Sequence, residues 1–138
     1  STLRINLHTK QVDRRIEDSW LKTVAGFLNA SGGRLVVGVA DDGQALGIDA
    51  DDFSNEDRMG LHLINVIRAR IGPEYVMYVH PRFEDYENER ALVVECKAST
   101  APIYVKDGNT EHFYVRTGPS TSELSHSQTV AYIKQRFG

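Results

Sequence analysis

The sequence lacks the features that mark several protein classes. It contains one cysteine, so a scaffold stapled by internal disulfides is excluded, and a lone thiol is typical of a reducing, cytoplasmic compartment. No apolar run approaches the roughly 18 residues that a membrane-spanning helix requires. A chain of 138 residues is nevertheless long enough to bury a core as one domain.

An excess of positive charge is also missing. The chain carries 16 Lys and Arg against 19 Asp and Glu, for a net charge of −3. Because non-specific affinity for nucleic acid comes mostly from accumulated Lys and Arg, total charge does not predict a polyanion binder. Any nucleic-acid site must be a local patch. We interpret the acidic clusters at residues 49–52 and 84–89 as solvated turns.

Familiar catalytic motifs are absent. There is no Gly-x-Ser-x-Gly elbow, and the run from Gly38 to Gly43 lacks the Lys-Ser/Thr of a phosphate-binding Walker loop. The five histidines are scattered singly, without the paired spacing of zinc ligands. The residues therefore predict no serine hydrolase, no P-loop nucleotidase and no metal site, and no cofactor is expected.

The most informative segment is residues 20–43. An apolar stripe at Trp20, Val24 and Leu28 has helical spacing, ends at Gly32-Gly33, and is followed by a β-branched run. This pattern predicts a helix, a tight turn and a buried strand. The glycine pair indicates either a backbone with positive φ or close approach by a ligand, and both interpretations stay open here.

Similar patterns predict the remaining elements. The first helix starts near residues 11–13, a second opens at Ser54 with Asp57 as its capping box, and a third opens at Ser125 with Gln128. Asp42-Gly43 predicts a hairpin into residues 44–48, and alternation predicts strands over 75–83, 90–97, 103–106 and 112–116. The fold class is mixed α+β: a single domain with a mixed sheet of about six strands and about three helices. Alternation also places Cys96 in the core.

Three segments in order resemble one family. They are Gly26-Phe-Leu-Asn-Ala-Ser-Gly-Gly33, Gly38-Val-Ala-Asp-Asp-Gly43 and Tyr114-Val-Arg-Thr-Gly-Pro-Ser-Thr121. Together they are similar to the Schlafen-type AlbA domain, a DNA-binding, divergent AlbA family, over nearly the whole chain. We expect residues 1–138 to form this domain and, because the first residue is Ser, to be a fragment of a longer protein. Two departures are Ala40, where an acidic residue is common, and the missing Glu-x-Lys strand, which we expect to lie upstream.

The resemblance implies a DNA- or RNA-binding module of a larger cytoplasmic regulatory or defence protein, such as a transcriptional regulator. In the Schlafen branch it implies an endoribonuclease that uses acidic residues and a divalent metal, Mg or Mn. By position, Asp41 or its neighbour Asp42 would be the catalytic acid, although a hairpin-turn role is the favoured explanation of both. Since the partner glutamates of the upstream strand are missing, the binding module is favoured over the nuclease.

Several polar residues are candidate nucleic-acid contacts. Arg116, Ser120 and Thr121 lie at a strand exit and combine a guanidinium with hydroxyls, which suits phosphate, although a loop salt bridge is the alternative. Further candidates, which helix termination also explains in part, are Asn29, Gly32, Gly33, Lys97 and Lys106.

A third interpretation is a protein interaction or dimerisation domain without a nucleic-acid role, for which a homodimer is one candidate assembly. Cations gathered on one face would favour nucleic-acid binding, and a third carboxylate near Asp41 would favour the nuclease. An exposed apolar edge strand without either would favour the interaction domain. The cations concerned are Lys22, Arg34, Lys97, Lys106 and Arg116.

Overall fold

The chain folds around its first helix, α1 (Arg14–Asn29), in a computed structural model that describes residues 2–138. Asp13 caps this helix by accepting a hydrogen bond from the Arg15 N–H. The predicted apolar stripe is confirmed, because Trp20, Val24 and Leu28 are all buried. Helix α1 therefore presents one face to the core and leaves the opposite face for contacts with solvent.

Two more α-helices and seven strands follow α1. Helix α2 (Glu56–Arg70) is capped by Asn55 and not, as predicted, by Ser54, because the Asn55 side chain accepts the Arg58 N–H. Helix α3 (His126–Phe137) begins with the predicted Ser125–Gln128 capping box. The strands are β1 (Gly33–Val37), β2 (Val79–Tyr86), β3 (Glu89–Cys96), β4 (Val105–Asp107), β5 (Thr110–His112), β6 (Tyr114–Thr117) and β7 (Ser120–Glu123).

The strands divide into three small antiparallel sheets. Strand β3 lies between β1 and β2, while β4–β5 and β6–β7 are separate hairpins. The mixed α+β class is confirmed, with the strands in three sheets where about six strands in one sheet were predicted. One reason is that the Ile103 N–H and C=O, just before β4, bond to the Asn29 side chain and not to a neighbouring strand.

The core lies between α1, α2 and the inner face of the β1–β3–β2 sheet. Its fully buried side chains include Leu21, Leu28, Leu63, Ile67, Leu92 and Val94. Cys96 is 4% exposed and packs into this core as predicted, and burial raises the pKa of its thiol to about 12. Cys96 is thus a neutral core residue and not an activated nucleophile.

Two loops differ from the sequence predictions. The hairpin partner expected over residues 44–48 is only an isolated bridge between Val39 and Ala45. Asp51, which we placed in a solvated turn, is 1% exposed. Its carboxylate accepts the N–H groups of three consecutive residues, Leu3, Arg4 and Ile5. Asp51 therefore fixes the segment before α1 to the domain, a role that requires burial.

Within residues 2–138, none of the helices has both the length and the apolar character needed to cross a bilayer.

Candidate functional site

A polar groove lies between the exposed side of α1 and the β6–β7 hairpin. We call it the α1–hairpin groove; its volume is about 410 Å³. On α1, the lining residues recur at spacings of three and four, so they share one helix face. The groove is lined by Arg15, Asp18, Ser19, Lys22, Thr23, Arg116 and Thr121.

Gly26 sets the distance between the two walls of the groove. A Cβ at this position would lie 3.1 Å from the Arg116 backbone nitrogen and 3.3 Å from the Thr121 methyl group. The absence of a side chain at Gly26 therefore lets the hairpin approach α1 closely. This approach brings Arg116 and Thr121 alongside the polar residues of the helix.

Arg116 is held in position but keeps hydrogen-bonding capacity. Its Nε donates to the Gly118 carbonyl at 3.1 Å and its Nη1 donates to the Thr121 hydroxyl at 2.9 Å. The guanidinium carbon lies 5.2 Å from the centre of the Phe27 ring. These contacts engage two of the five N–H donors that a guanidinium carries, so an oriented donor set remains for a ligand.

The other two cations of the groove come from α1. Lys22 places its Nζ 5.6 Å from the centre of the Tyr114 ring. Arg15 bonds Asp13 through Nε at 3.1 Å and Nη2 at 2.8 Å. These bonds from Arg15 hold the pKa of Asp13 well below its usual range and raise the pKa of Arg15. Arg15 is therefore the more internally compensated of the two cations.

The single carboxylate that lines the groove is already paired. Asp18 accepts a hydrogen bond from Arg70 Nη1, which also contacts Glu17 at 3.2 Å. Of these three side chains only Asp18 lines the groove. The groove thus concentrates positive charge in a chain whose net charge is −3.

The structure brings only some of the predicted contacts together. Arg116 and Thr121 line the groove, whereas Ser120, Lys97 and Lys106 do not. Ser120 is exposed on β7 beside Thr121. Lys106 lies between Val105 and Asp107 on β4. Because successive side chains of a strand point to opposite faces, the Lys106 side chain points away from the face that carries Val105 and Asp107.

Asn29 serves the scaffold, in contrast to the phosphate contact that the sequence predicted. It is 0% exposed. Its amide nitrogen donates to the carbonyls of Ile103 at 2.9 Å and Tyr114 at 2.8 Å, and its carbonyl oxygen accepts the Ile103 N–H. The carboxamide has no open side toward a ligand.

Gly32 and Gly33 pack against other residues of the domain, so no ligand is needed to explain them. Gly32 has φ +81°, and a Cβ there would lie 2.6 Å from the Cys96 carbonyl oxygen. A Cβ on Gly33 would overlap the Phe27 ring. Both of the interpretations left open by the sequence therefore have internal causes: positive φ at Gly32 and close approach by an aromatic ring at Gly33.

Asp41 and Asp42 are exposed at the turn after β1. The Asp42 carboxylate accepts the Gln44 N–H at 2.9 Å, which makes it a turn residue. Neither aspartate lines the α1–hairpin groove. Across residues 2–138, no three His, Cys, Asp or Glu side chains are grouped to hold a metal ion, so the donor set does not fit the divalent metal of the nuclease hypothesis.

Sequence reasoning missed Arg15, Ser19 and Thr23 as groove residues. Their signal was the i, i+4, i+8 spacing on the side of α1 opposite the apolar stripe. That spacing identifies an exposed polar face. It does not indicate which strand pair lies beside that face.

Comparison with known proteins identifies the family. Residues 4–125 match the family model described as Schlafen, AlbA_2. The match begins ahead of α1 and so includes the segment before this helix. In that segment the chain has Asn6-Leu7-His8 and no glutamate before Glu17, so the Glu-x-Lys pattern named above is absent from it. No curated protein matches the chain.

Two solved structures are similar in fold. The DIP2311 protein from Corynebacterium diphtheriae superposes with a TM-score of 0.65 at 21% identity, covering 91% of this chain and 23% of that one. This chain therefore spans about a quarter of that protein. The N-terminal domain of the "Putative ATP-dependent DNA Helicase RecG-related Protein" from Nitrosomonas europaea superposes with a TM-score of 0.50 at 20% identity, covering 79% and 78%.

Proposed function

We propose a function from the premise that this chain belongs to the Schlafen, AlbA_2 family: it is a nucleic-acid-binding module that contacts phosphates in the α1–hairpin groove. The observation that carries the proposal is the position of Arg116. Its guanidinium is oriented by Phe27 and Thr121 and retains free donors beside Lys22. A planar, pre-oriented guanidinium suits the oxygens of a phosphate.

The charge distribution supports a phosphate ligand. Arg15, Lys22 and Arg116 line the groove, and Arg70 offsets the charge of Asp18. The hydroxyl groups of Ser19 and Thr121 supply additional donors, whereas the Thr23 hydroxyl already donates to the Ser19 carbonyl at 3.3 Å. Contacts of this kind position a protein on a nucleic-acid backbone without reading its sequence.

A structural neighbour is consistent with a module inside a larger nucleic-acid-associated protein. One structural neighbour is an N-terminal domain of a protein named as a RecG-related DNA helicase, although its 20% identity to this chain establishes the fold alone. We place the module in a larger cytoplasmic regulatory or defence protein, such as a transcriptional regulator, as the family resemblance implies. The proposal also includes peripheral phosphate contacts outside the groove, from Ser120, Lys97 and Lys106. The Gly32-Gly33 turn contributes indirectly, because Gly33 packs against the Phe27 ring.

A fluorescence-anisotropy titration tests this function. Labelled duplex DNA and structured RNA are titrated with the chain at low and at physiological salt. Because few phosphates are contacted, we expect micromolar or weaker affinity at physiological salt and a shallow salt slope. Arg116→Ala and Lys22→Ala should each weaken binding to every sequence about equally and reduce the salt slope by about 1.

Arg68→Ala is the matched control. Arg68 is exposed on α2 and bonds Asn65, a neutral partner, so its removal changes the net charge equally without touching the groove. Equal losses for Arg68→Ala and Arg116→Ala would mean that binding follows net charge only. Absence of binding at low salt would favour the interaction domain, which sedimentation would then test as a homodimer. Mg- or Mn-dependent RNA cleavage that disappears in Asp41→Ala would favour the nuclease.

A further inference from the structure

A second groove adjoins the α1–hairpin groove on the other side of α1. We call it the α1–β1 groove; its volume is about 640 Å³. Its apolar walls include Leu7, Ile16 and Leu35, with Trp20 also lining it. The groove is thus larger than its neighbour and has no role in the phosphate contacts proposed above.

The two grooves share one wall. Arg15, Ser19 and Thr23 line both of them and form a ridge along α1. Residues four apart on a helix are separated by about 6 Å along its axis, slightly more than one turn. On one side of this ridge lie Arg116 and Lys22, and on the other side lies an apolar surface.

We propose that this site takes an unpaired nucleic-acid strand, with phosphates in the α1–hairpin groove and bases in the α1–β1 groove. This inference rests on the proposed function and names its substrate class. A nucleotide carries a charged phosphate and an apolar-faced base on opposite sides of its sugar, which matches the two sides of the ridge. In a duplex the bases are paired inside the helix, so they cannot enter a groove beside the backbone contacts.

The rim of the α1–β1 groove also suits a base. His8 is exposed, lines the groove, and its imidazole makes no hydrogen bond to another side chain within residues 2–138. An imidazole offers a ring face for stacking and nitrogen atoms for a base edge. Asn6 is not available in the same way, because its amide donates to Asp13 and its carbonyl accepts the His8 N–H.

Trp20 provides a built-in reporter. It is the only tryptophan of the chain, is 4% exposed, and donates its indole N–H to the Leu3 carbonyl at 2.9 Å. Because Trp20 lines the α1–β1 groove and does not line the α1–hairpin groove, its emission should respond to a base and not to a phosphate.

The experiment compares three probes by anisotropy and Trp20 emission. They are a short oligothymidine, an abasic strand with the same number of phosphates, and a duplex of the same length. We expect oligothymidine to shift the Trp20 emission and to bind roughly tenfold more tightly than the abasic strand, the order expected from burying one base face. The abasic strand and the duplex should bind without the emission shift.

Two leucine variants locate the base contact. Leu7 and Leu46 are each 41% exposed, so either can be changed to serine with little effect on the core, but only Leu7 lines the α1–β1 groove. Leu7→Ser should weaken oligothymidine binding several-fold. Its salt slope should stay unchanged, because no phosphate contact is lost. Leu46→Ser should bind like the wild type.

The outcomes separate this inference from the proposed function. Equal affinity for oligothymidine and the abasic strand, or tighter binding of the duplex, would overturn the base contact and leave the phosphate contact intact. Equal effects of Leu7→Ser and Leu46→Ser would also overturn it. Loss of all three probes at low salt would instead remove the phosphate contact on which the inference depends.

Discussion

The exposed side of α1 and its C-terminal end are bordered by polar residues of opposite kinds. Along its exposed side, Lys22 and the neighbouring Arg116 have donors that no internal partner uses fully. At its C-terminal end, Asn29 is 0% exposed and its carboxamide makes three hydrogen bonds to the backbone. Since both groups were candidate phosphate contacts, the comparison teaches that unsatisfied hydrogen-bonding capacity, more than polarity, separates a ligand-facing residue from a structural one.

Helix α3 satisfies further hydrogen-bond acceptors at the C-terminal end of α1, which we call the saturated end. Tyr132 donates its hydroxyl to the Asn29 carbonyl at 2.6 Å, and Arg136 donates to the carbonyls of Ala30 at 3.1 Å and Ser99 at 2.8 Å. The last carbonyls of a helix have no partner within the helix, so side chains from elsewhere must satisfy them. Here α3 does so, and this end of α1 is closed to ligands.

The largest expected effect is at Asn29. Asn29→Ala would leave two buried carbonyls and one buried N–H without partners, so we expect a loss of about 3 kcal/mol or more in the free energy of unfolding. Urea denaturation followed by circular dichroism measures this loss. Asn65→Ala, at an exposed position on α2, is the control and should change stability by less than about 0.5 kcal/mol. A loss below about 1 kcal/mol for Asn29→Ala would contradict the structural role.

Gly32→Ala should cause the next largest loss of stability. Gly32 has φ +81°, and the added Cβ would lie 2.6 Å from the Cys96 carbonyl, so strain and collision both act. We expect a loss of about 2 to 3 kcal/mol. Gly108→Ala separates the two causes, because Gly108 has φ +61° with open space around it and should lose only about 1 kcal/mol. Equal losses in urea denaturation would show that backbone conformation alone requires glycine at position 32.

Gly33→Val connects the saturated end to the groove. The new side chain would displace the Phe27 ring, whose centre lies 5.2 Å from the Arg116 guanidinium carbon. We expect a loss of about 1 to 3 kcal/mol in stability, together with weaker nucleic-acid binding in the folded protein. Thermal melting and anisotropy on the same preparation measure both. A variant that melts at the wild-type temperature would refute the packing role of Gly33.

Arg116→Ala should weaken nucleic-acid binding while changing stability little, the reverse of Asn29→Ala. The side chain contributes one partly exposed contact with Phe27, an exposed hydrogen bond to the Gly118 carbonyl and a hydrogen bond to Thr121, so its removal should cost only about 1 kcal/mol of stability. Binding should nevertheless weaken as described above. Urea denaturation provides the check. A loss comparable to that of Asn29→Ala would place Arg116 in the scaffold and erase the contrast between the groove and the C-terminal end of α1.

The smallest expected effect is a pH dependence at His62. Burial lowers the pKa of this imidazole, and the nearby charge of Arg4 lowers it further. The unfolded state therefore binds the proton more readily, so stability should fall as the pH drops below about 6.5. His62→Gln should flatten this slope in melting curves recorded between about pH 7 and 5. An unchanged slope would assign the acid sensitivity to other groups.

The local features of the fold could be predicted from the sequence. The buried stripe of α1 and the Ser125–Gln128 capping box each follow from a few neighbouring residues, and the Gly32-Gly33 pair marks the turn but leaves positive φ and close approach open. Helical periodicity, capping and turn chemistry act within one or two turns of chain, so a sequence pattern is sufficient to identify them. The family resemblance rests on the same kind of short segments.

Only the tertiary structure decided which polar residues face a ligand. Asn29 bonds Ile103 across 74 positions, and the buried Asp51 bonds Leu3 across 48. The α1–hairpin groove likewise joins Arg116 to helix residues about a hundred positions earlier. A side chain's hydrogen-bonding capacity is fixed by its chemistry, but whether that capacity is already used depends on partners that folding brings from distant parts of the chain.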